Sequence, residues 1–312
     1  MTRLVLPAIV RGLIEPQLPP GCETHWWTSA DEALAMAPGA DIAWFDMLEK
    51  DSMPPCIIAA TELKWLNSIY AGIDWMPLDV LTQRGTIVTS GAGINAVTIA
   101  EWVVMGMLTV AKGYADIVRA QDRREWLDQA PGRVELAGTH ALILGAGAIG
   151  GLVAARLAAF EVNVTTVRRS PGPGDLGPGD WRDRLSEFDW VILAVPATPE
   201  TEAMIGSAEL AAMKPSAVLL NIARGAVVDQ AALIDALNAR RIAAAFLDVT
   251  TPEPLPAEHP LWSTPNAHIT MHLSGLAQTR MFLRGAARFL DNLGRWQRGE
   301  PLIHVVDLAR GY

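Results

Sequence analysis

Three polar residues stand just past short apolar runs in the second half of the chain. Arg224 follows VLLN in NIARGAVVD, Glu253 follows FLDV in DVTTPEPLP, and His272 follows HITM in ITMHLSG. Together a guanidinium, a carboxylate and an imidazole suit reduction of a carbonyl that sits beside a carboxylate. Arg224 can bind the substrate carboxylate and polarise the adjacent carbonyl. His272 can give a proton to the carbonyl oxygen as hydride arrives, and take it back in reverse. Glu253 can orient the imidazole and favour its protonated form. Taken singly, each has a plainer role: a helix-cap or surface arginine, a solvated carboxylate in a Pro-rich loop, a hydrogen-bonded loop histidine. Their shared position decides for the joint reading, because ligands of open α/β sheets bind beyond the carboxyl ends of the strands.

Such a reaction needs a hydride source, and the segment ALILG runs directly into GAGAIG. Gly145, Gly147 and Gly150 have the GxGxxG spacing, weak by itself in a chain with 26 glycines. Here it closes an apolar strand and opens an Ala-rich helix, which is the context it requires. Gly145 permits the tight turn, Gly147 lets a pyrophosphate approach the backbone, and Gly150 lets the helix pack close to the strand. The helix start at Ala148 and Ile149 offers N–H groups and the positive end of the dipole. About 20 residues further on, an NAD-preferring site carries Asp or Glu for the ribose 2′-hydroxyl. The second strand, VNVTTV, ends instead in Arg168, Arg169 and Ser170. Two guanidinium forks and a hydroxyl suit a 2′-phosphate. NADP(H) is therefore expected over NAD(H), with NAD(H) as the second option.

The elements that must position these residues follow from periodicity. Strands are expected at 141–145, 162–167, 190–195, 217–221, 244–249 and 268–271, with helices at 149–159 and 230–240 among them. Near-continuous apolar strands imply a sheet covered on both faces. Earlier apolar runs at 3–6, 41–45, 66–69 and 86–88 alternate with helical stretches at 31–37 and 55–63. That alternation reads as βαβ units and a parallel sheet. One long helix is expected over 97–120, with Thr98 at its start. The PGPGDLGPGD stretch at 171–180 reads as a loop.

Composition narrows the function classes. A chain of 312 residues is more than one core usually serves, so two domains are expected. The balance of 25 Lys and Arg against 34 Asp and Glu gives a net charge of -9, which argues against nucleic-acid binding. Two cysteines, Cys22 and Cys56, make neither a disulfide scaffold nor a cysteine-rich zinc site, and no metal is expected. The apolar stretch 4–10 is interrupted by Pro7, and the uncharged run 141–155 is too short and Gly-rich for a membrane span. A cytoplasmic protein without membrane contact is expected. None of Tyr70, Tyr114 and Tyr312 has Lys four residues on, so the short-chain dehydrogenase pattern is absent. His268 and His272 lack the Glu of HExxH. The remaining alternative is a non-catalytic nucleotide sensor, which would have no need of Arg224, Glu253 and His272 together.

The motifs GAGAIG, PATPETEAMIG, NIARGAVVD, LDVTTPEPLP and HPLWSTPNAHITMHLSG, in this order and spacing, resemble the D-isomer-specific 2-hydroxyacid dehydrogenases. The resemblance covers roughly residues 71–275. It implies catalytic roles for Arg224, Glu253 and His272, and a nicotinamide carboxamide contact for Asp248. It adds cofactor contacts at Thr98, Pro196 and Ala223. YAGID resembles the turn whose backbone N–H groups grip the substrate carboxylate, implicating Ala71, Gly72 and Ile73. The RRS at 168–170 is similar to the NADPH-using glyoxylate and hydroxypyruvate reductase branch. The family often has proline before the catalytic histidine; Met271 stands there, which loosens the loop but removes no reacting group. Trp44, Phe45, Met47, Trp75 and Met76 fall near pocket positions, although core packing is the expected role for most. The implied architecture has a Rossmann cofactor domain, 97–280, inserted in a flavodoxin-like substrate domain, 1–96 and 281–312, with the site in the cleft. It also implies a homodimer joined through the long helix, acting on a small anionic 2-oxo or 2-hydroxy acid.

Overall fold

The computed structural model describes residues 1–73 and 75–309, so Asp74 of YAGID and Tyr312 lie outside the described residues. The chain divides into two compact units, Met1–Asn95 with Gln278–Tyr312, and Ala96–Ala277. Each carries one parallel sheet.

In the first unit, strands β1 (Thr2–Pro7), β2 (Cys22–Trp27), β3 (Ile42–Ala43), β4 (Trp65–Asn67) and β5 (Ile87–Thr89) pair in the order β2-β1-β3-β4-β5. This is the flavodoxin-like doubly wound order. β2 escapes the sequence reading because CETHWW has no apolar run. It is an edge strand with only Trp27 buried, so nothing requires one. The helix Met281–Arg298 joins this unit through a stripe of buried residues, Gly285, Ala286, Phe289, Asn292 and Leu293. Their three- and four-residue spacing turns one face inward. Phe289 stacks on Trp65 at 5.2 Å between ring centroids and also meets Trp44. That aromatic cluster ties the C-terminal helix to β4, more than 200 residues earlier in the chain.

Asp46 is buried beside that cluster, at 1% exposure. Burial raises its carboxyl to about 7, against hydrogen bonds from the Ile69 N–H, the Trp44 indole and the Ser68 hydroxyl that favour the ionised form. The sign of its contribution follows from linkage. Below 3.8, the ordinary value, folded and unfolded chains are both protonated here. Between there and about 7 only the unfolded chain ionises, so stability falls as pH rises and levels off above. Asp46→Asn removes this titration. Urea unfolding at about pH 5 and about pH 8 should show a stability loss roughly 3 kcal/mol smaller in the variant than in the parent. Equal losses in both would show that Asp46 does not titrate in this window.

In the second unit, β6 (His140–Leu144), β7 (Asn163–Val167), β8 (Trp190–Leu193), β9 (Val218–Asn221), β10 (Ala244–Leu247) and β11 (Ala267–Ile269) pair in the order β11-β10-β9-β8-β6-β7. β8, β9 and β10 are buried at every position, as strands covered on both faces must be. Leu176 bridges Val167 in parallel on the outer side of β7. It thus stands where the Rossmann order places a further strand. The chain order reverses at β6, whose neighbours are β7 and β8.

The single helix expected over 97–120 is two helices, Ala96–Lys112 and Tyr114–Asp122, bent by 69°. Gly113 breaks it with φ 62°. The returning segment packs into the bend: Val134 N–H donates to the Ala111 carbonyl, and Gly132 N lies 2.7 Å from where a Cβ on Gly113 would sit. Apolar spacing continues across such a bend, which is why periodicity alone reads one helix. Among the described residues, no single helix is long and apolar enough to cross a membrane, and no group of three His, Cys, Asp or Glu could hold a metal.

Candidate active site

Parallel pairing puts every strand end of the second unit on one edge. Gly145 follows β6, Arg168 follows β7, Pro196 follows β8, Ala223 and Arg224 follow β9, Asp248 follows β10, and His272 follows β11. The glycine turn stands at the strand where the order reverses, the place where open α/β sheets bind their ligands.

The turn has the shape that a pyrophosphate requires. Gly145 has φ 96°, and a Cβ there would meet the Ala194 carbonyl at 2.5 Å. A Cβ on Gly150 would lie 2.0 Å from the Gly145 carbonyl, so the helix Ala148–Ala158 packs onto the strand only without side chains. Gly147 differs: a Cβ there would meet nothing within 4 Å. That open space lies over the start of a helix whose N-cap has no side-chain hydrogen bond. Backbone N–H groups at Ala148 and Ile149 therefore suit an incoming anion. These residues fit a dinucleotide.

At the end of β7, Arg168, Arg169 and Ser170 are all exposed. Arg168 Nε donates to Asp175 at 2.9 Å. A carboxylate therefore does reach this strand end, from a loop residue that the sequence reading passed over.

His272 Nδ1 and Glu253 Oε2 are 2.8 Å apart, which leaves the far ring nitrogen for a reactant. The bond to Glu253 raises the His272 imidazole above its ordinary 6.5, against burial and the charge of Arg224. Burial would raise Glu253, but the His272 ring, the Thr250 N–H and the charges of His272 and Arg224 outweigh it and hold the carboxyl below its usual range. Arg224 is thus close enough for its charge to act on both partners. Asn221, buried at the end of β9, donates to the Arg224 carbonyl at 2.9 Å and accepts from Ala223 N–H at 3.0 Å. Asn221 fixes the turn that aims Arg224. The asparagine is visible in NIARG, but its partners are not.

The loop carrying His272 is tethered from three sides. Asp248, 2% exposed, accepts from the Thr270 hydroxyl, the N–H groups of Leu273 and Ser274, and the Ser274 hydroxyl. The Thr98 hydroxyl is turned to the carbonyls of Ser274 and Ala277. The Trp102 indole donates to Thr270 at 3.0 Å. Met271 and His272 have φ 53° and 58°. Proline, fixed near φ −65°, does not take the path that Met271 follows. The tethers hold the loop in place of a proline ring.

Ala71, Gly72 and Ile73 belong to the first unit. Their turn is held by the Trp75 indole on the Gly72 carbonyl and by Gly91 N–H on the Tyr70 carbonyl. The Ser68 hydroxyl links Asp46 to the Tyr70 backbone. Trp44, Phe45 and Met76 are buried core, while Met47 and Trp75 are partly buried against it.

A glycine turn at the switch point of a doubly wound sheet is the arrangement that binds a dinucleotide. Residues 104–274 match the NAD binding domain of the D-isomer specific 2-hydroxyacid dehydrogenases. A human glyoxylate reductase/hydroxypyruvate reductase is 31% identical over 303 residues, covering 90% of each chain. The chain belongs to the D-isomer specific 2-hydroxyacid dehydrogenase family. A family member from Aeromonas salmonicida subsp. salmonicida A449 superposes with a TM-score of 0.88 at 28% identity, over 98% of this chain and 99% of that one. An NADPH-dependent glyoxylate/hydroxypyruvate reductase from Sinorhizobium meliloti, in complex with citrate, superposes at 0.81 with 25% identity, over 99% and 98% of the two chains.

Proposed function

We propose that the protein reduces a small 2-oxo acid of the glyoxylate or hydroxypyruvate kind to its D-2-hydroxy acid, preferring NADP(H) to NAD(H). The observation that carries this reading is the His272–Glu253 pair at 2.8 Å within reach of the Arg224 charge. A bound nicotinamide dinucleotide supplies the hydride. His272 holds a proton on its far ring nitrogen and delivers it to the carbonyl oxygen. Glu253 orients the ring and stabilises its cationic form. Arg224 binds the substrate carboxylate and draws electron density toward the carbonyl oxygen. The N–H groups of Ala71, Gly72 and Ile73, in the first unit, are assigned to carboxylate binding.

On the cofactor side, the turn from Gly145 to Gly150 takes the pyrophosphate. Arg168, Arg169 and Ser170 take the 2′-phosphate, and Thr98, Pro196, Ala223 and Asp248 line the dinucleotide. The NADPH-dependent relative from Sinorhizobium meliloti supports the cofactor assignment. The proposed assembly is a homodimer. Tyr114, Ile117 and Val118 lie three and four residues apart on one helix and are 58%, 39% and 37% exposed, an apolar face suited to a second copy.

The test is oxidation of NADPH, followed by absorbance, with a panel of 2-oxo acids. Turnover with glyoxylate or hydroxypyruvate is expected. Bound NADPH with no turnover of any panel member would show a nucleotide-binding sensor instead.

A further inference from the structure

The acidic residue missing directly after VNVTTV returns from the loop beyond it. Arg168 N–H donates to the Leu176 carbonyl at 2.9 Å, and Leu176 N–H donates to the Thr166 carbonyl at 2.8 Å. These backbone bonds lay the loop along the outer edge of β7 and bring Asp175 to its end. The Asp175 carboxylate accepts from Arg168 Nε at 2.9 Å, from Gly172 N–H at 3.0 Å and from the Thr166 hydroxyl. Its side chain is 16% exposed, against 45% for Arg168. Asp175 is thus a fixed carboxylate, and Arg168 is the more open partner. Arg169 also has an acid nearby, because its charge acts on the Glu200 carboxyl. Neither arginine presents an isolated positive charge.

Resting on the proposal that the cofactor's adenosine ribose lies at the end of β7, we infer that Asp175 is a specificity-determining residue of the dinucleotide site. It holds Arg168 through a charge-assisted bond and opposes a 2′-phosphate by like charge. To a 2′-hydroxyl the same carboxylate offers an acceptor. The pair therefore moderates the preference that two arginines alone would create, and the protein uses NADH as well as NADPH. A 2′-phosphate must share the Arg168 guanidinium with the Asp175 carboxylate, whereas a 2′-hydroxyl leaves the pair undisturbed.

The experiment is a fluorescence titration of the full chain with NADPH and with NADH, which needs no 2-oxo acid. Asp175→Asn keeps the size and polarity of the side chain and removes its charge. It should raise the ratio of NADPH to NADH affinity by about tenfold. An unchanged or lowered ratio would overturn the proposal. Thr166→Val removes one donor to the same carboxylate without altering charge, and it should leave the ratio near the parent's. A shift as large as that of Asp175→Asn would show that loop geometry, not charge, selects the cofactor. In Arg168→Ala combined with Arg169→Ala, NADPH should weaken far more than NADH. Equal losses there would refute the placement of the ribose at β7, and the inference with it. A selective loss there, beside an unresponsive Asp175→Asn, would overturn the inference alone.

Discussion

His272→Gln is expected to lower kcat for 2-oxo acid reduction by about 100- to 10,000-fold while leaving NADPH affinity close to the parent's. Glutamine is of similar size and its amide can still donate to Glu253, so the loop held by Asp248, Thr98 and Trp102 has no reason to move. What is lost is a proton available near neutral pH. The pH dependence separates this from a packing defect. The imidazole is raised above 6.5 by the bond to Glu253, so it stays protonated to higher pH than a free histidine. In the proposed role, reduction uses the protonated ring and should hold steady at low pH, then fall as pH rises through the raised value. Oxidation of the 2-hydroxy acid uses the neutral ring and should rise through the same range. The residual activity of the Gln variant should lack both limbs. Parental turnover in this variant, or limbs that persist, would remove His272 from the proton-transfer role.

Arg224→Gln should reduce kcat/KM by about 100- to 1,000-fold, because in the proposed role Arg224 supplies both a carboxylate fork and a charge beside the carbonyl oxygen. A second readout follows from the electrostatics. The charge of Arg224 lowers the pKa of His272 and of Glu253. Without it the imidazole holds its proton to still higher pH, so the falling limb of reduction should move upward in the variant. Arg224→Lys retains the charge but not the planar fork. It should keep the limb near its parental position and still lose activity, since an ammonium cannot bind carboxylate bidentately. Measuring kcat/KM against pH for all three proteins checks both effects. An unmoved limb in Arg224→Gln would mean that Arg224 is not electrostatically coupled to the pair.

Much of the fold is legible because burial leaves a pattern. β8, β9 and β10 are covered on both faces, so their segments must be apolar throughout, and their ends mark where Pro196, Arg224 and Asp248 emerge. The edge strand β2 is under no such demand and reads as nothing in particular. The bend at Gly113 is invisible for a different reason. The helical spacing runs on through it, and the break is imposed by a segment some twenty residues later packing into the turn. Met271 was expected to loosen the histidine loop. The structure shows the tethers that hold it, and these join residues far apart in sequence.

By itself the sequence determined the two parallel sheets, the glycine turn and the strand ends at which Arg224, Glu253 and His272 gather. Those features follow from local rules: apolar runs, glycine spacing and the direction of parallel strands. Only the tertiary structure decided what each charge meets. It set Asp175 against Arg168 across a proline- and glycine-rich loop, buried Asp46 under the backbone at Ile69, and spread Asp248 over the histidine loop. Electrostatic partners are chosen by distance in space, and distance in space is fixed only when loops close and side chains pack, which no local period records.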